Sequence, residues 1–94
     1  MAYLMTHFWS GGTEEQYRAS IAAVHPEGGG LPAGQIYHAA GPTEGGVLIS
    51  VVWDSKESAD HFMQNVLIPA MPVPGGFEGQ PEQRLAEVSN LQTA

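Results

Sequence analysis

Apolar and polar residues along the chain recur with two different periods, and the changes of period predict six regular elements. Ala2–Trp9 is rich in aromatic and aliphatic residues, which is typical of a strand. Tyr17, Ile21 and Val24 then recur at helical spacing. The predicted elements are a strand over Ala2–Trp9, a helix from about Thr13 to His25, strands over Gln35–Ala40 and Val47–Trp53, a helix capped at Asp54 and ending near Pro69, and a strand over Leu85–Leu91.

Capping residues and turn-forming segments set the boundaries between these elements. Thr13 followed by Gln16 is a capping-box signature, and Asp54 is placed to cap the second helix. The segment Gly41–Gly46 consists of turn-forming residues and predicts a hairpin between the second and third strands. Ala70–Pro81 is rich in proline and glycine and is expected to be an irregular loop.

The order strand–helix–strand–strand–helix–strand predicts an α+β domain of the ferredoxin-like type. Right-handed crossovers would place both helices on one face of a four-stranded antiparallel sheet and leave the other face bare. Val47–Trp53 is apolar on both sides, although a strand with one wet face usually alternates. Because such a patch normally marks an interface, the sequence predicts a homodimer in which two sheets pack face to face. The expected pocket lies between those sheets.

Composition narrows the range of partners. The chain has 94 residues, 43% of them hydrophobic, and is expected to form one domain over residues 1–94. A formal charge of −7 with only three basic residues excludes the positive surface that nucleic acids and anionic membranes require. The absence of cysteine excludes disulfides, cysteine-based metal sites and thiol catalysis. Since neither signal-peptide features nor a membrane-spanning apolar stretch is visible, a cytoplasmic location is expected.

Six short stretches share their pattern with a known superfamily: Gly12–Tyr17, Gly34–His38, the Gly45-Gly46 turn, Val52–Glu57, Phe62 and Leu67–Pro69. Together they resemble the dimeric α/β-barrel superfamily, in the neighbourhood of proteins similar to antibiotic biosynthesis monooxygenases. The resemblance covers about residues 2–70 and implies a ferredoxin-like fold that dimerises into a barrel. It implies no single activity, because similar barrels include cofactor-independent oxygenases, haem-degrading enzymes, lactone isomerases and small proteins with no assigned activity.

The haem-degrading branch of that superfamily differs from this chain at three positions. Its members resemble the chain around Trp53–Lys56, but they use an Asn on the first strand, a Trp in the second helix and a His near the end of that helix. Here the first strand has no Asn, Phe62 stands where the Trp would fall, and Ala70–Gly76 contains no His. The resemblance therefore disfavours haem degradation.

Two of the four histidines lie inside strands, and they are the candidate catalytic residues because histidine ordinarily titrates near neutral pH. His7 lies on the strand face of Trp9. His38 lies on the corresponding side of the sheet if Ala40 opposes Val47, whereas a shift of one residue would turn it to the other face. Each histidine is alternatively a hydrogen-bonded residue of the core or the interface.

The other two histidines have simpler explanations. His25 ends the first helix and is expected to interact with the helix dipole. His61 lies off the apolar stripe of the second helix and is expected to be solvated. No two histidines are four residues apart, and no histidine–carboxylate cluster recurs locally, so no metal site is expected.

Four apolar or aromatic residues are the candidates for the walls of a ligand cavity. The expected ligand-binding residues are Tyr3, Met5, Trp53 and Phe62. Trp53 is alternatively a packing residue against the second helix, and Tyr3 alternatively lies in the interface. The acidic residues are scattered over turns and helix starts, so paired carboxylates for acid–base catalysis are not expected. No cofactor is expected either.

Two functions remain open on the sequence. In the first, a cofactor-independent oxygenase holds an aromatic or polyketide-like molecule between the sheets, and His38 or His7 removes a phenolic or enolic proton so that the anion reduces dioxygen. In the second, a non-catalytic dimer binds an apolar small molecule or serves as an accessory module. A cavity with at least two converging polar side chains would favour the enzyme, whereas a space filled by side chains would favour the second function.

Overall fold

Four antiparallel strands in the order β2-β3-β1-β4 form one sheet in the computed structural model, which describes residues 1–94. The strands are β1 (Tyr3–Ser10), β2 (Gln35–Thr43), β3 (Gly46–Trp53) and β4 (Glu82–Glu87). The helices are α1 (Glu14–Val24), α2 (Lys56–Phe62) and α3 (Ile68–Ala70), and a π-helical segment (Met63–Leu67) joins the last two. The predicted ferredoxin-like βαββαβ fold is confirmed.

The caps of the two main helices differ in how well the sequence predicted them. The capping box of α1 is confirmed, since Thr13 accepts a hydrogen bond from the Gln16 backbone and the Gln16 side chain accepts one from the Thr13 backbone. The predicted cap of α2 at Asp54 is wrong. Ser55 is the cap, because its hydroxyl accepts the Ser58 N–H at 3.1 Å. Asp54 remains bound to the loop before β2 through its own N–H.

The last strand begins earlier than predicted. It spans Glu82–Glu87 in place of Leu85–Leu91, and it pairs along β1 so that Glu82 opposes Phe8. Every residue of β4 is exposed, since it forms an edge of the sheet. Two of the apolar residues that suggested the later strand, Val88 and Leu91, lie beyond it.

The hairpin register differs from the expected one by two residues. The second strand continues through Pro42, which an edge strand tolerates because its missing N–H need not join the ladder. Neither of the two registers considered occurs, because Val47 opposes Pro42 and His38 opposes Val51. A shift of two keeps every side chain on its own face of the sheet, so His38 stays on the predicted side.

The helices cover the sheet face formed by alternate residues of β1 and β3. These buried residues are Tyr3, Met5, His7, Trp9, Val47, Ile49, Val51 and Trp53. Apolar residues of α1 and α2 pack against them, among them Ile21 and Phe62. The core of the protein thus lies between the helices and this face.

The expected position of the pocket is therefore wrong. His7, His38 and Trp53 were expected on the bare sheet face, but the strand register puts all three on the face that the helices cover. Because both faces of β3 are apolar, the sequence pattern could not indicate which face the helices would cover. A pocket built from these residues lies within one chain.

The uncovered face of the sheet carries apolar side chains. Leu48 and Tyr37 are about half exposed, at 47% and 50%, and Leu4 and Phe8 are partly buried beside them. Apolar side chains on the bare face are thus confirmed, next to polar ones such as Arg84, and dimerisation through this face stays a prediction. No helix in the structure is both long and apolar enough to cross a lipid bilayer.

Candidate functional site

A pocket of about 610 Å³, here called the outer pocket, lies between strands β1 and β4 and the chain that follows α2. Its polar lining residues are His7, Gln80 and Gln83. A second space of about 70 Å³, the inner chamber, continues towards α1 and β2 and shares His7 and Trp9 with the outer pocket. No Asp, Glu, Lys or Arg lines either space.

His38 lies between two hydrogen-bonding partners at the inner chamber. Its Nδ1 is 3.2 Å from Gln35 Oε1, and its Nε2 is 2.7 Å from the Tyr17 hydroxyl. Since an amide oxygen can only accept, His38 Nδ1–H donates to Gln35. Nε2 of the neutral ring then has a lone pair, and it accepts the hydrogen bond from the Tyr17 hydroxyl. The arrangement defines one tautomer of His38 and makes Nε2 the basic atom.

A β-bulge brings Gln35 and His38 to the same side of the sheet. Residues three apart in a regular strand point to opposite faces. The register of β2 against β3 shifts between Gln35 and Tyr37, where one extra residue, Ile36, is accommodated. The orientation of His38 therefore depends on an irregularity that strand periodicity does not predict.

The His25 ring packs edge-on against His38, with ring centroids 4.9 Å apart. Burial, and secondarily the neighbouring His25, lowers the pKa of His38 below its ordinary value of 6.5. Burial also lowers the pKa of His25 and raises the pKa of Tyr17. All three side chains are therefore neutral near pH 7. The interaction of His25 with the helix dipole stays a prediction, and its ring in addition packs within this cluster.

His7 lies at the junction of the two spaces and is only 8% exposed. The Gln83 amide nitrogen is 2.8 Å from His7 Nε2 and donates to it, because an amide NH₂ cannot accept. The neutral ring therefore has its proton on Nδ1, which makes no hydrogen bond within the protein. Burial lowers the pKa of His7, so the ring stays neutral near pH 7. His7 presents a donor, whereas His38 presents a base.

An aromatic pair lines both spaces. Trp9 and Phe77 stack with ring centroids 4.5 Å apart and planes 6° from parallel. The buried Ser20 hydroxyl accepts the Phe77 N–H at 3.0 Å, which attaches the irregular loop of residues 71–81 to α1. Gly12 is required beneath this pair, since a Cβ there would lie 2.9 Å from the Phe77 ring. The loop predicted as merely irregular thus contributes a buried residue to the site.

Three of the four predicted ligand-binding residues line the inner chamber: Met5, Trp53 and Phe62. Tyr3 does not line either space and is instead a buried core residue. Trp53 also packs against Phe62, with centroids 5.1 Å apart, as the alternative interpretation proposed. Its indole N–H is buried and makes no hydrogen bond, so an unsatisfied donor lies within the wall of the chamber.

Several site residues were not identified from the sequence. Tyr17 was assigned only to the apolar stripe of its helix, and Gln35 and Gln83 were not assigned a role. Phe77 offered one signal, as the lone aromatic residue in a loop of glycines and prolines. His61 is exposed and bonds to its helix neighbour Asn65, in agreement with the solvated position predicted for it.

No group of three or more His, Asp or Glu side chains is close enough to hold a metal ion. His38 Nε2 and the Tyr17 hydroxyl form a hydrogen-bonded acid–base pair in the lining of the inner chamber. The chemistry that they offer is proton transfer.

Comparison with known proteins shows the fold. A crystal structure from Chloroflexus aurantiacus J-10-fl, described as a "putative Antibiotic biosynthesis monooxygenase", superposes with a TM-score of 0.65 over 99% of this chain and 98% of that chain. The two sequences are 19% identical. No family model matches this chain, and no curated protein matches it. The predicted ferredoxin-like fold is thus shared with a solved structure.

Proposed function

We propose that this protein is a cofactor-independent oxygenase that acts on a planar phenolic or enolic molecule bound between the sheet and the helices. The observation that carries the proposal is the His38 site. Gln35 orients the neutral imidazole of His38, whose basic Nε2 accepts the hydrogen bond of the Tyr17 hydroxyl. Both side chains line the inner chamber, which has aromatic walls. A base that is neutral near pH 7 suits removal of a weakly acidic proton.

Proton removal would proceed through the Tyr17 hydroxyl. The Tyr17 oxygen has a free lone pair that can accept the hydrogen bond of a substrate hydroxyl, while its own proton is already directed at His38 Nε2. Transfer of the substrate proton to Tyr17 and of the Tyr17 proton to His38 leaves an anionic substrate and a protonated imidazole. The protonated ring keeps its Nδ1–H bond to Gln35.

Dioxygen is the co-substrate that balances the reaction. The electron-rich anion transfers one electron to O₂, and the two radicals combine to form a carbon–oxygen bond. The proton held by His38 returns to the peroxide, and loss of water from the hydroperoxide leaves a carbonyl group. In total a CH₂ carbon loses four electrons and becomes C=O, while O₂ accepts four and provides one oxygen to the product and one to water.

The dimensions of the site suit a flat ligand of moderate size. The outer pocket, at about 610 Å³, lies within the range of about 300–1,000 Å³ that is common for small-molecule sites. The inner chamber, at about 70 Å³, admits only an edge of a ring. The ligand would lie mainly in the outer pocket and place its phenolic edge at Tyr17.

The open sheet face supports a homodimer as the working form. Leu48 and Tyr37 expose about half of their surface there, and no element of the chain covers them. Burying such a face would gain about 25 cal/mol per Å² of apolar surface. Two copies related by a two-fold axis would cover each other, and each would keep its own pocket on the helix side.

A non-catalytic binding protein is the second candidate. It is supported by the inner chamber, which is smaller than a benzene ring requires, and by the hydrogen bond that already occupies His38 Nε2. Such a protein would bind the same flat molecules without converting them.

The test uses 1,8-dihydroxyanthrone in air-saturated buffer at pH 7 with a chelator present. The protein is expected to accelerate formation of the anthraquinone and to consume one O₂ per product. An equal concentration of free imidazole provides the control for simple base catalysis. A rate no greater than that control, together with tight binding of the anthraquinone, would identify the second candidate. Absence of both turnover and binding would reject both candidates.

A further inference from the structure

We infer that the outer pocket selects uncharged substrates that carry a hydrogen-bonding oxygen at the end remote from the reacting phenol, and that His7 and Gln83 bind this oxygen. The inference rests on the proposed oxygenase function and adds a substrate class to it. It assigns His7 to substrate specificity, whereas His38 acts in the proton transfer.

The lining of both spaces is uncharged, which favours an uncharged ligand. Neither space is lined by Asp, Glu, Lys or Arg. The three histidines that line them have pKa values lowered by burial and are neutral near pH 7. The formal charge of the whole chain is −7, which further disfavours an anionic ligand. A carboxylate or phosphate in this pocket would lose hydration and find no cation. Uncharged molecules avoid that cost.

The geometry of the sheet separates His7, which is hydrogen-bonded to Gln83, from His38. His7 opposes Ile49, Ile49 opposes Ala40, and His38 is two residues from Ala40 along β2. With strands about 4.8 Å apart and about 3.4 Å per residue, the Cα atoms of His7 and His38 are about 12 Å apart. The space between them is lined by Met5 and other apolar side chains. A ligand with its reacting edge in the inner chamber and its other rings in the outer pocket would pass His7, which lines both spaces, and would lie beside Gln83.

His7 and Gln83 have hydrogen-bonding groups that no other group of the protein uses. His7 Nδ1–H has no partner, and Gln83 uses one amide hydrogen on His7 while its second hydrogen and its oxygen make no hydrogen bond. The pair can therefore donate to a carbonyl or ether oxygen and also accept from a hydroxyl. Gln83 is exposed on the edge strand, so it can reach a ligand without moving a packed element.

The test measures the binding of three 1,8-dihydroxyanthraquinones that differ only at carbon 3, which carries a methyl, hydroxymethyl or carboxylate group. Quenching of tryptophan fluorescence reports binding, because Trp9 lines both spaces. The hydroxymethyl compound is expected to bind about 3- to 10-fold more tightly than the methyl compound, as one added hydrogen bond allows. The carboxylate is expected to bind about 10- to 100-fold more weakly than the methyl compound, because its charge is unpaired.

Two variants locate the discriminating group. Gln83→Leu is expected to remove the preference for hydroxymethyl over methyl, and Gln83→Lys to strengthen carboxylate binding at least about tenfold by providing a cation. Gln64→Leu, at an exposed position outside both pockets, provides the matched control and should leave all three affinities unchanged.

The outcomes separate this inference from the oxygenase proposal. Equal affinities for the three compounds, or a carboxylate affinity in Gln83→Lys no higher than in the unmodified protein, would overturn the inference while anthrone oxidation could still be observed. Conversely, the predicted ranking without any turnover would retain the specificity and reject the oxygenase. Failure of all three compounds to quench the fluorescence would overturn the inference.

Discussion

Replacing His38 with alanine is expected to slow oxidation of 1,8-dihydroxyanthrone by about 10²- to 10⁴-fold, because general base catalysis contributes about that factor. The variant removes the acceptor of the Tyr17 proton and leaves the outer pocket unchanged, since His38 does not line it. We therefore expect kcat to fall far more than KM rises. Steady-state kinetics with oxygen uptake provide the measurement.

Two further variants separate proton transfer from general damage. Tyr17→Phe is expected to cost about tenfold, corresponding to one hydrogen bond, because His38 Nε2 then faces the chamber directly. His61→Ala provides the matched control, as this histidine is exposed on α2 and outside the pockets. If His38→Ala retained full turnover, or lost no more than His61→Ala, His38 would not be the base.

The pH dependence of kcat/KM gives an independent check on the same residue. A base acts only when neutral, and burial lowers the pKa of His38 below 6.5. The rate should therefore be constant around neutral pH and fall only as the pH drops through that lowered pKa. His25→Gln should shift the acid limb to higher pH, because the neighbouring imidazole also lowers the pKa of His38. An acid limb centred above pH 6.5 in the unmodified protein would contradict this account.

Replacing Leu48 with glutamate is expected to convert the proposed homodimer to a monomer. Leu48 lies on the open sheet face opposite Phe8 in the register, and two-fold symmetry would place two such carboxylates in one apolar interface. Each buried, unpaired charge costs several kcal/mol, so the dissociation constant should rise at least about 100-fold. The isolated chain should still fold, because Leu48 is 47% exposed within it.

Sedimentation equilibrium measures this change in association. Leu31→Glu is the matched control, since Leu31 is a similarly exposed leucine, at 42%, located in a loop outside the sheet. The control is expected to remain dimeric. A 10.0 kDa species for the unmodified chain at micromolar concentration would show that the open face does not dimerise.

Sequence periodicity predicted the elements well because burial controls most of them. Alternation in β1 placed Met5, His7 and Trp9 on one face, and the structure buries that face. Helical spacing and the Thr13 capping box likewise defined α1. The edge strand β4 was located poorly, since its exposed residues carry no apolar pattern.

The site was less predictable than the fold because its parts meet through long-range contacts. Both strand histidines were identified as candidates, but their partners depend on the register. Gln83 reaches His7 only when β4 pairs with β1, and Gln35 reaches His38 only across a β-bulge. Phe77 reaches Ser20 across 57 residues of sequence. Neither local propensity nor spacing encodes these pairings.

The ligand is expected to bind on the face of the sheet that the helices cover, and a crystal structure with bound 1,8-dihydroxyanthraquinone tests this most directly. We expect the rings to lie on the helix side of the sheet within one chain, beside Trp9, with a phenolic oxygen in hydrogen-bonding distance of the Tyr17 hydroxyl. A ligand held on the opposite face, against Phe8 and Leu48 between two sheets, would contradict the account.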